Sequence, residues 1–73
     1  PTTTIRFDLP YKSVVSVKVY NLQGREVMSL IDGNMDAGYH SVRWNAEAMP
    51  SGVYLIALKS GDNNLIEKVV LLK

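Results

Sequence analysis

The stretch Gly-Tyr-His-Ser-Val-Arg-Trp at residues 38–44 decides the class of fold. Its side chains alternate, with His40, Val42 and Trp44 on one face and the residues between them on the other. A period of two residues is typical of a β-strand that packs one face against a core and leaves the other face in water. Trp44 is the only tryptophan, and we expect it to be the largest single contributor to that core.

The same period recurs on both sides of this stretch. No segment of ten or more residues has the 3.6-residue period of an amphipathic helix. The alternation predicts strands at residues 3–9, 14–20, 26–31, 38–44, 53–59 and 65–72. Short strands separated by turns predict a single all-β domain, residues 1–73, built as an immunoglobulin-like β-sandwich of antiparallel strands.

The segments between the strands carry turn chemistry. Asn21 suits the first position of a type I turn, and Gly24 tolerates a positive φ, so we expect a turn at 21–24. Residues 26–31 carry apolar side chains on both parities, Val27 and Ile31 on one and Met28 and Leu30 on the other, so we expect a bulge or a strong twist there. The remaining connections are predicted as a loop at 32–38, a crossing between two sheets at 45–52 and a turn at 60–64.

The length, composition and charge of the chain limit the functions that it can have. The 73 residues are 47% hydrophobic, which is enough for one thin core. The net charge is +1 and no basic stripe occurs, so nucleic acid is not expected as a partner. No apolar run is long enough for a membrane span, so we expect no membrane insertion. The absence of an initiator methionine and of a signal-peptide pattern favours a fragment of a larger protein.

Residues for catalysis are sparse. His40 is the only histidine, and its parity with Val42 indicates a histidine at the edge of the core with one ring nitrogen hydrogen-bonded. One histidine and no cysteine cannot supply the roughly four ligands of a structural zinc site. Acidic residues are scattered over different elements, at Asp8, Glu26, Glu47 and Glu67. We therefore expect no enzyme, no catalytic or metal-binding residue and no cofactor.

One weak pattern points to calcium. Asp32, Asn34 and Asp36 have the spacing that opens a calcium loop, since Ca²⁺ takes oxygen ligands at alternate positions. The glycine expected next is replaced by Ala37, and the twelfth position is Arg43 rather than a bidentate glutamate. The sequence therefore favours an ordinary polar loop.

The last two strands have too few polar residues for a sheet with one wet face. Residues 53–58 have no polar face, and residues 69–72 are similar. Two explanations stay open. Loops and strand ends of the domain cover the second face, or another protein does so. A final strand at a sheet edge would be a template for strand addition, or for a strand-swapped homodimer.

The chain resembles the type A C-terminal sorting domains of the type IX secretion system over nearly its whole length. The resemblance rests on PTTTIRFDLP at 1–10, VKVYNLQGREV at 17–27, AGYH at 37–40 with Val42 and Trp44, PSGVY at 50–54, and KVVLLK at 68–73. The immunoglobulin-like domain of flagellar hook-capping proteins is similar in its Gly-x-x-Val, Gly-x-His, Trp and Ser-Gly-x-Tyr pattern. The terminal KVVLLK favours the sorting domain.

The resemblance implies a seven-stranded sandwich at the end of a secreted protein, one strand more than the six counted above. It implies export through the periplasm to the cell surface, with recognition by an outer-membrane translocon and a cell-surface sortase. The expected recognition residues are Gly52, Tyr54, Lys68, Val69, Val70, Leu71, Leu72 and Lys73. The alternatives are a structural accessory module of hook-capping type and a carbohydrate-binding module. The latter requires Tyr11, Tyr20 and Tyr39 to share a face.

Overall fold

The computed structural model describes residues 2–61 and 63–72 as strands joined by turns, which confirms the predicted all-β fold. The strands are β1 (Thr2–Leu9), β2 (Ser13–Tyr20), β3 (Glu26–Met35), β4 (Gly38–Asn45), β5 (Gly52–Ser60) and β6 (Asn63–Leu71). Every pairing is antiparallel. The described residues contain no helix, and so none that could cross a membrane.

The strands form two sheets. β1 and β4 make a two-stranded sheet, and the second sheet has the order β3-β2-β5-β6. Residues 46–51 carry the chain from one sheet to the other, which confirms the predicted crossing. Two hydrogen bonds of 3.0 Å hold this segment. The Met49 N–H donates to the Ala46 carbonyl, and the Glu47 N–H donates to Asn45 Oδ1.

The core lies between the sheets and is built from the alternating positions. Trp44 is 1% exposed, and its ring meets Tyr54 edge-on at 5.3 Å between centroids. Trp44 is the largest fully buried side chain, so its predicted place in the core is confirmed. The other buried hydrophobic residues are Ile5, Phe7, Leu9, Val15, Val17, Val19, Ala46, Ile56, Leu58 and Leu71.

The turn between β2 and β3 forms where it was predicted. Asn21 Oδ1 accepts the backbone N–H groups of Gln23 and Arg25, each at 3.0 Å. Gly24 has a φ of 82°, a left-handed conformation that side chains rarely adopt. The side chain of Asn21 therefore replaces the backbone partners that the turn leaves unpaired.

Bulges explain why β3 carries apolar residues of both parities, and a bulge was one of the two irregularities expected there. The register between β2 and β3 shifts twice, and Leu30 and Val27 are the residues without a cross-strand partner. Each extra residue is a bulge, which reverses the parity of the residues beyond it. Leu30 and Ile31 are neighbours in sequence, yet both pack against the core because of the bulge.

The predicted loop at 32–38 is wrong for residues 32–35. β3 continues to Met35 and pairs with the start of β2, where Asp32 lies opposite Ser16 and Asn34 opposite Val14. Polar residues are tolerated because this row of the sheet faces solvent, while Met35 on the other face packs against the core. Only residues 36–37 connect β3 to β4. Likewise β6 begins at Asn63 and not at the predicted 65.

Candidate recognition strand at the sheet edge

β6 is the last strand of the four-stranded sheet and lies at its edge. Within the described ranges it pairs with β5 alone. Its other edge therefore presents N–H and C=O groups that no neighbouring strand satisfies. The structure therefore meets the condition, a final strand at a sheet edge, on which strand addition depends.

The register between β5 and β6 brings the predicted recognition residues together. Gly52 lies opposite Leu71, and Tyr54 lies opposite Val69. Residues 52–55 and 68–71, which are distant in sequence, therefore pair with each other in the sheet. Lys73 lies outside the residues that the structure describes.

Burial divides these residues into two groups. Tyr54 and Leu71 are each 5% exposed and belong to the core, with Val69 partly buried beside them. Val70 is 55% exposed and Leu72 is 82% exposed. Only the second group, together with the exposed Lys68, offers side chains that another molecule can contact. Tyr54 can act only by positioning β5.

Tyr54 is fixed by two contacts. Its hydroxyl donates to the Pro50 carbonyl at 2.7 Å, which ties the start of β5 to the crossing segment. Its ring packs against Trp44, as described above. Gly52 adds a backbone constraint, because its φ of 156° lies in a region that L side chains rarely adopt. No atom would clash with a Cβ at Gly52, so the constraint is conformational and not steric.

The exposed apolar surface of β6 is larger than the sequence predicted. Ile66 is 71% exposed and Leu65 is 63% exposed, although neither was among the expected recognition residues. On the outer face, Ile66 lies opposite Ala57 and Val70 lies opposite Val53. The signal in the sequence was two adjacent apolar residues, Leu65 and Ile66, which place an apolar side chain on each face of the strand.

The two explanations for the apolar strands can now be compared. On β5, the outward residues Val53, Leu55 and Ala57 are half-buried. On β6, the outward residues Ile66 and Val70 are mostly exposed. Cover by the domain's own loops and strand ends therefore does not extend to β6, whose outer face is open to a partner.

Charges on this outer face are few and weakly coupled. Lys18 and Glu26 form a surface ion pair, with 3.4 Å between Nζ and Oε1. Such an exposed pair contributes at most about 1 kcal/mol. Lys68 lies on the same face, opposite Leu55. The surface around β6 is thus apolar with a basic side chain beside it.

His40 has the structural place that its parity predicted. Its Nε2 is 2.7 Å from the Asp36 carbonyl oxygen, and its ring stacks on Phe7 with 5.4 Å between centroids. The ring is half-buried at the edge of the core. Through these contacts, His40 fixes the end of the β3–β4 connection against the core.

The other candidate sites do not assemble. In the described part of the chain, no three His, Cys, Asp or Glu side chains come together in a way that could hold a metal ion. The three tyrosines do not share a face. Tyr20 is on the four-stranded sheet, Tyr39 is on the two-stranded sheet and Tyr11 lies in the β1–β2 connection. A carbohydrate platform of these tyrosines is therefore not formed.

Comparison with known proteins finds one family whose model covers almost the whole chain. Residues 1–72 match the model of the family described as the secretion system C-terminal sorting domain. No curated protein matches the chain, and no solved structure does so.

Proposed function

The chain belongs to the family of type IX secretion system C-terminal sorting domains, and we propose that it directs a passenger across the outer membrane by docking on the export machinery. Membership implies a protein that is exported to the cell surface or secreted. It also implies interaction with the secretion machinery and attachment to an upstream passenger. The family is not a class of enzymes, and in the proposed mechanism this chain itself makes and breaks no bond.

The proposed partners are the outer-membrane translocon and the cell-surface sortase, which the domain meets after passage through the periplasm. The observation that carries this proposal is the free edge of β6, with Val70 and Leu72 exposed beside it. An unpaired strand edge accepts an extended segment of another protein through main-chain hydrogen bonds. Pockets for alternate side chains of β6 would supply the specificity.

The buried residues of the terminal segments serve the same mechanism indirectly. Leu71 anchors the end of β6 in the core, and Tyr54 holds the neighbouring strand through Pro50. A strand that is held rigidly at its inner face loses less conformational freedom when a partner binds its outer edge. The core contacts thus prepare β6 for docking.

Truncation tests the proposal in cells. A passenger fused to the chain without Lys68–Lys73 should stay in the periplasm, measured by fractionation and surface labelling. Because Leu71 is a core residue, truncation also removes packing. The sharper variant is Val70→Asp with Leu72→Asp, which changes two exposed side chains only. Loss of their burial in the docked state should lower surface delivery at least about tenfold.

The control is Leu22→Asp, which adds one negative charge, half of that in the test variant, at a residue that is 67% exposed in the β2–β3 turn. It should leave delivery unchanged, and Trp44 emission should show that all variants fold. Normal delivery by the Val70→Asp, Leu72→Asp variant would count against docking through β6. An equal loss in the Leu22→Asp control would show that the effect is not specific to this edge.

A further inference from the structure

The outer face of the two-stranded sheet carries a shallow depression of about 560 Å³. Matching stretches of both strands line it, namely Arg6, Phe7, Asp8, Tyr39, His40 and Ser41. The rings of Phe7 and His40 stack on each other on the core side of the sheet, so the backbone of this pair forms the floor. We call this space the Tyr39 depression.

Four outward-pointing side chains form the walls of the Tyr39 depression. Asp8 lies opposite Tyr39, Arg6 lies opposite Ser41, and all four are exposed. Opposite residues of an antiparallel pair have Cβ atoms about 5 Å apart, and neighbouring pairs on one face are about 7 Å apart. The four walls therefore enclose an area close to the size of one sugar ring.

These walls present three kinds of chemical group that nothing in the described residues engages. Tyr39 is 90% exposed, the largest exposed fraction among the large hydrophobic side chains in the described ranges. Within residues 2–61 and 63–72, neither Arg6 nor Asp8 forms an ion pair, either with the other or with a third residue. The depression thus offers a flat apolar ring, a fork of hydrogen-bond donors and a carboxylate acceptor.

The charges of the walls favour a neutral ligand. An anion attracted by Arg6 is repelled by Asp8, and a cation attracted by Asp8 is repelled by Arg6. Arg43 lies one cross-strand pair farther from Tyr39 and does not line the depression, which therefore carries no net charge itself. A neutral ligand with adjacent hydroxyl groups can donate to Asp8 and accept from Arg6 while an apolar C–H face packs on Tyr39. Saccharides combine these three properties.

We propose that the Tyr39 depression binds one sugar unit of a neutral glycan. The sugar ring lies on Tyr39, and two neighbouring hydroxyl groups bridge Arg6 and Asp8. This subsite needs one aromatic ring, unlike the platform of three tyrosines that does not form. An open depression covers only one side of its ligand, so we expect a dissociation constant on the order of 1 mM. The subsite lies on the other sheet from β6 and does not rest on the proposed sorting function.

The size and composition of this face argue against larger occupants. Eight residue pairs make the two-stranded sheet about 26 Å long and about 10 Å wide. The resulting area of about 260 Å² is small beside the roughly 800 Å² that a stable protein interface covers on each partner. Tyr39 is the only large apolar side chain on this outer face, too little for the apolar core of a contact with a second copy.

The path of the chain argues against cover by residues that precede β1. β1 begins at Thr2, opposite Asn45, at the far end of the sheet from Asp8 and Tyr39. A preceding segment would have to turn back over about 20 Å of strand to reach the Tyr39 depression. A small ligand from solution meets no such constraint.

The test titrates the isotope-labelled 73-residue chain with methyl glycosides of glucose, galactose, mannose and N-acetylglucosamine. At least one glycoside should shift the amide resonances of residues 6–8 and 39–41 in heteronuclear NMR spectra. Tyr39→Ala should weaken that binding at least about tenfold, because the stacking surface is lost. Tyr39→Phe keeps the ring and should bind as the wild type does. The dispersion of the amide resonances reports whether each variant is folded.

The two arginines of this face provide a matched control. Arg6→Ala and Arg43→Ala each remove a guanidinium from the same outer face, but only Arg6 lines the Tyr39 depression. Arg6→Ala should weaken binding about tenfold through the lost charge-assisted hydrogen bonds, and Arg43→Ala should leave the affinity unchanged. Equal losses in the two variants would overturn the proposal, as would undiminished binding by Tyr39→Ala.

Three further outcomes would also overturn it. The first is the absence of shifts with all four glycosides. The second is tighter binding of free glycine, a zwitterion, than of every glycoside, which would assign Arg6 and Asp8 to a charged ligand. The third is a set of shifts at residues 6–8 and 39–41 that depends on protein concentration without any ligand, which would assign this face to a second copy.

Discussion

Replacing Tyr54 by phenylalanine distinguishes two roles of this residue. Tyr54 could position β5 beside β6, or its hydroxyl could contact the partner directly. The substitution removes the 2.7 Å hydrogen bond to the Pro50 carbonyl and keeps the ring against Trp44. A partly buried hydrogen bond of this kind contributes about 1 kcal/mol to the free energy of unfolding. For a domain of this size, that loss lowers Tm by about 4–8 °C.

Tyr54→Ala removes the ring as well. Truncation of a buried aromatic side chain costs about 3–5 kcal/mol. At about 0.05–0.15 kcal/mol per residue, a chain of 73 residues has a total stability of roughly 4–11 kcal/mol. A domain this small buries little of its surface and lies toward the lower end of that range. The alanine variant is therefore expected to be unfolded or close to it at 37 °C, whereas the phenylalanine variant stays folded.

The assay combines urea unfolding, followed by Trp44 emission, with surface delivery of a fused passenger. Because Tyr54 is 5% exposed, it should act through the position of β5 and not through contact with a partner. Tyr54→Phe should therefore deliver its passenger normally at a temperature where it is folded, and Tyr54→Ala should fail in both assays. Loss of delivery by a fully folded Tyr54→Phe would refute this reasoning, because it would assign the hydroxyl to direct recognition.

Two further predictions concern the turns that frame the sheet. Gly52→Ala should cost about 1–3 kcal/mol in urea unfolding, since alanine must adopt a φ of 156°; an unchanged stability would show that the strand start relaxes freely. Asn21→Ala should lower the free energy of unfolding by about 1 kcal/mol because two backbone N–H groups lose their acceptor, whereas Asn21→Asp keeps an oxygen there and should be nearly neutral. Equal losses in the two Asn21 variants would contradict this account of the turn.

Much of the fold was predictable because it depends on a period of two residues. The alternation around Trp44 and along β2 correctly identified the buried faces, and the apolar residues of both parities in β3 correctly indicated an irregularity, which the structure shows to be bulges. Strand ends were less predictable. Asp32 and Asn34 suggest a loop by their chemistry, but they lie on a solvent-facing row where cross-strand pairing outweighs residue preference.

The candidate site was predictable in part for a related reason. An apolar final strand indicated an exposed surface, and the structure places that strand at a sheet edge. The sequence could not separate the buried Leu71 from the exposed Leu72, because that depends on which row faces the opposite sheet.

Hydrogen exchange of the chain, free and bound to purified translocon, tests the role of β6 most directly. In the free chain, the alternate amides of β6 that point away from β5 should exchange rapidly, and they should become protected on binding. Protection confined to other strands, with exchange on β6 unchanged, would contradict recognition through the final strand.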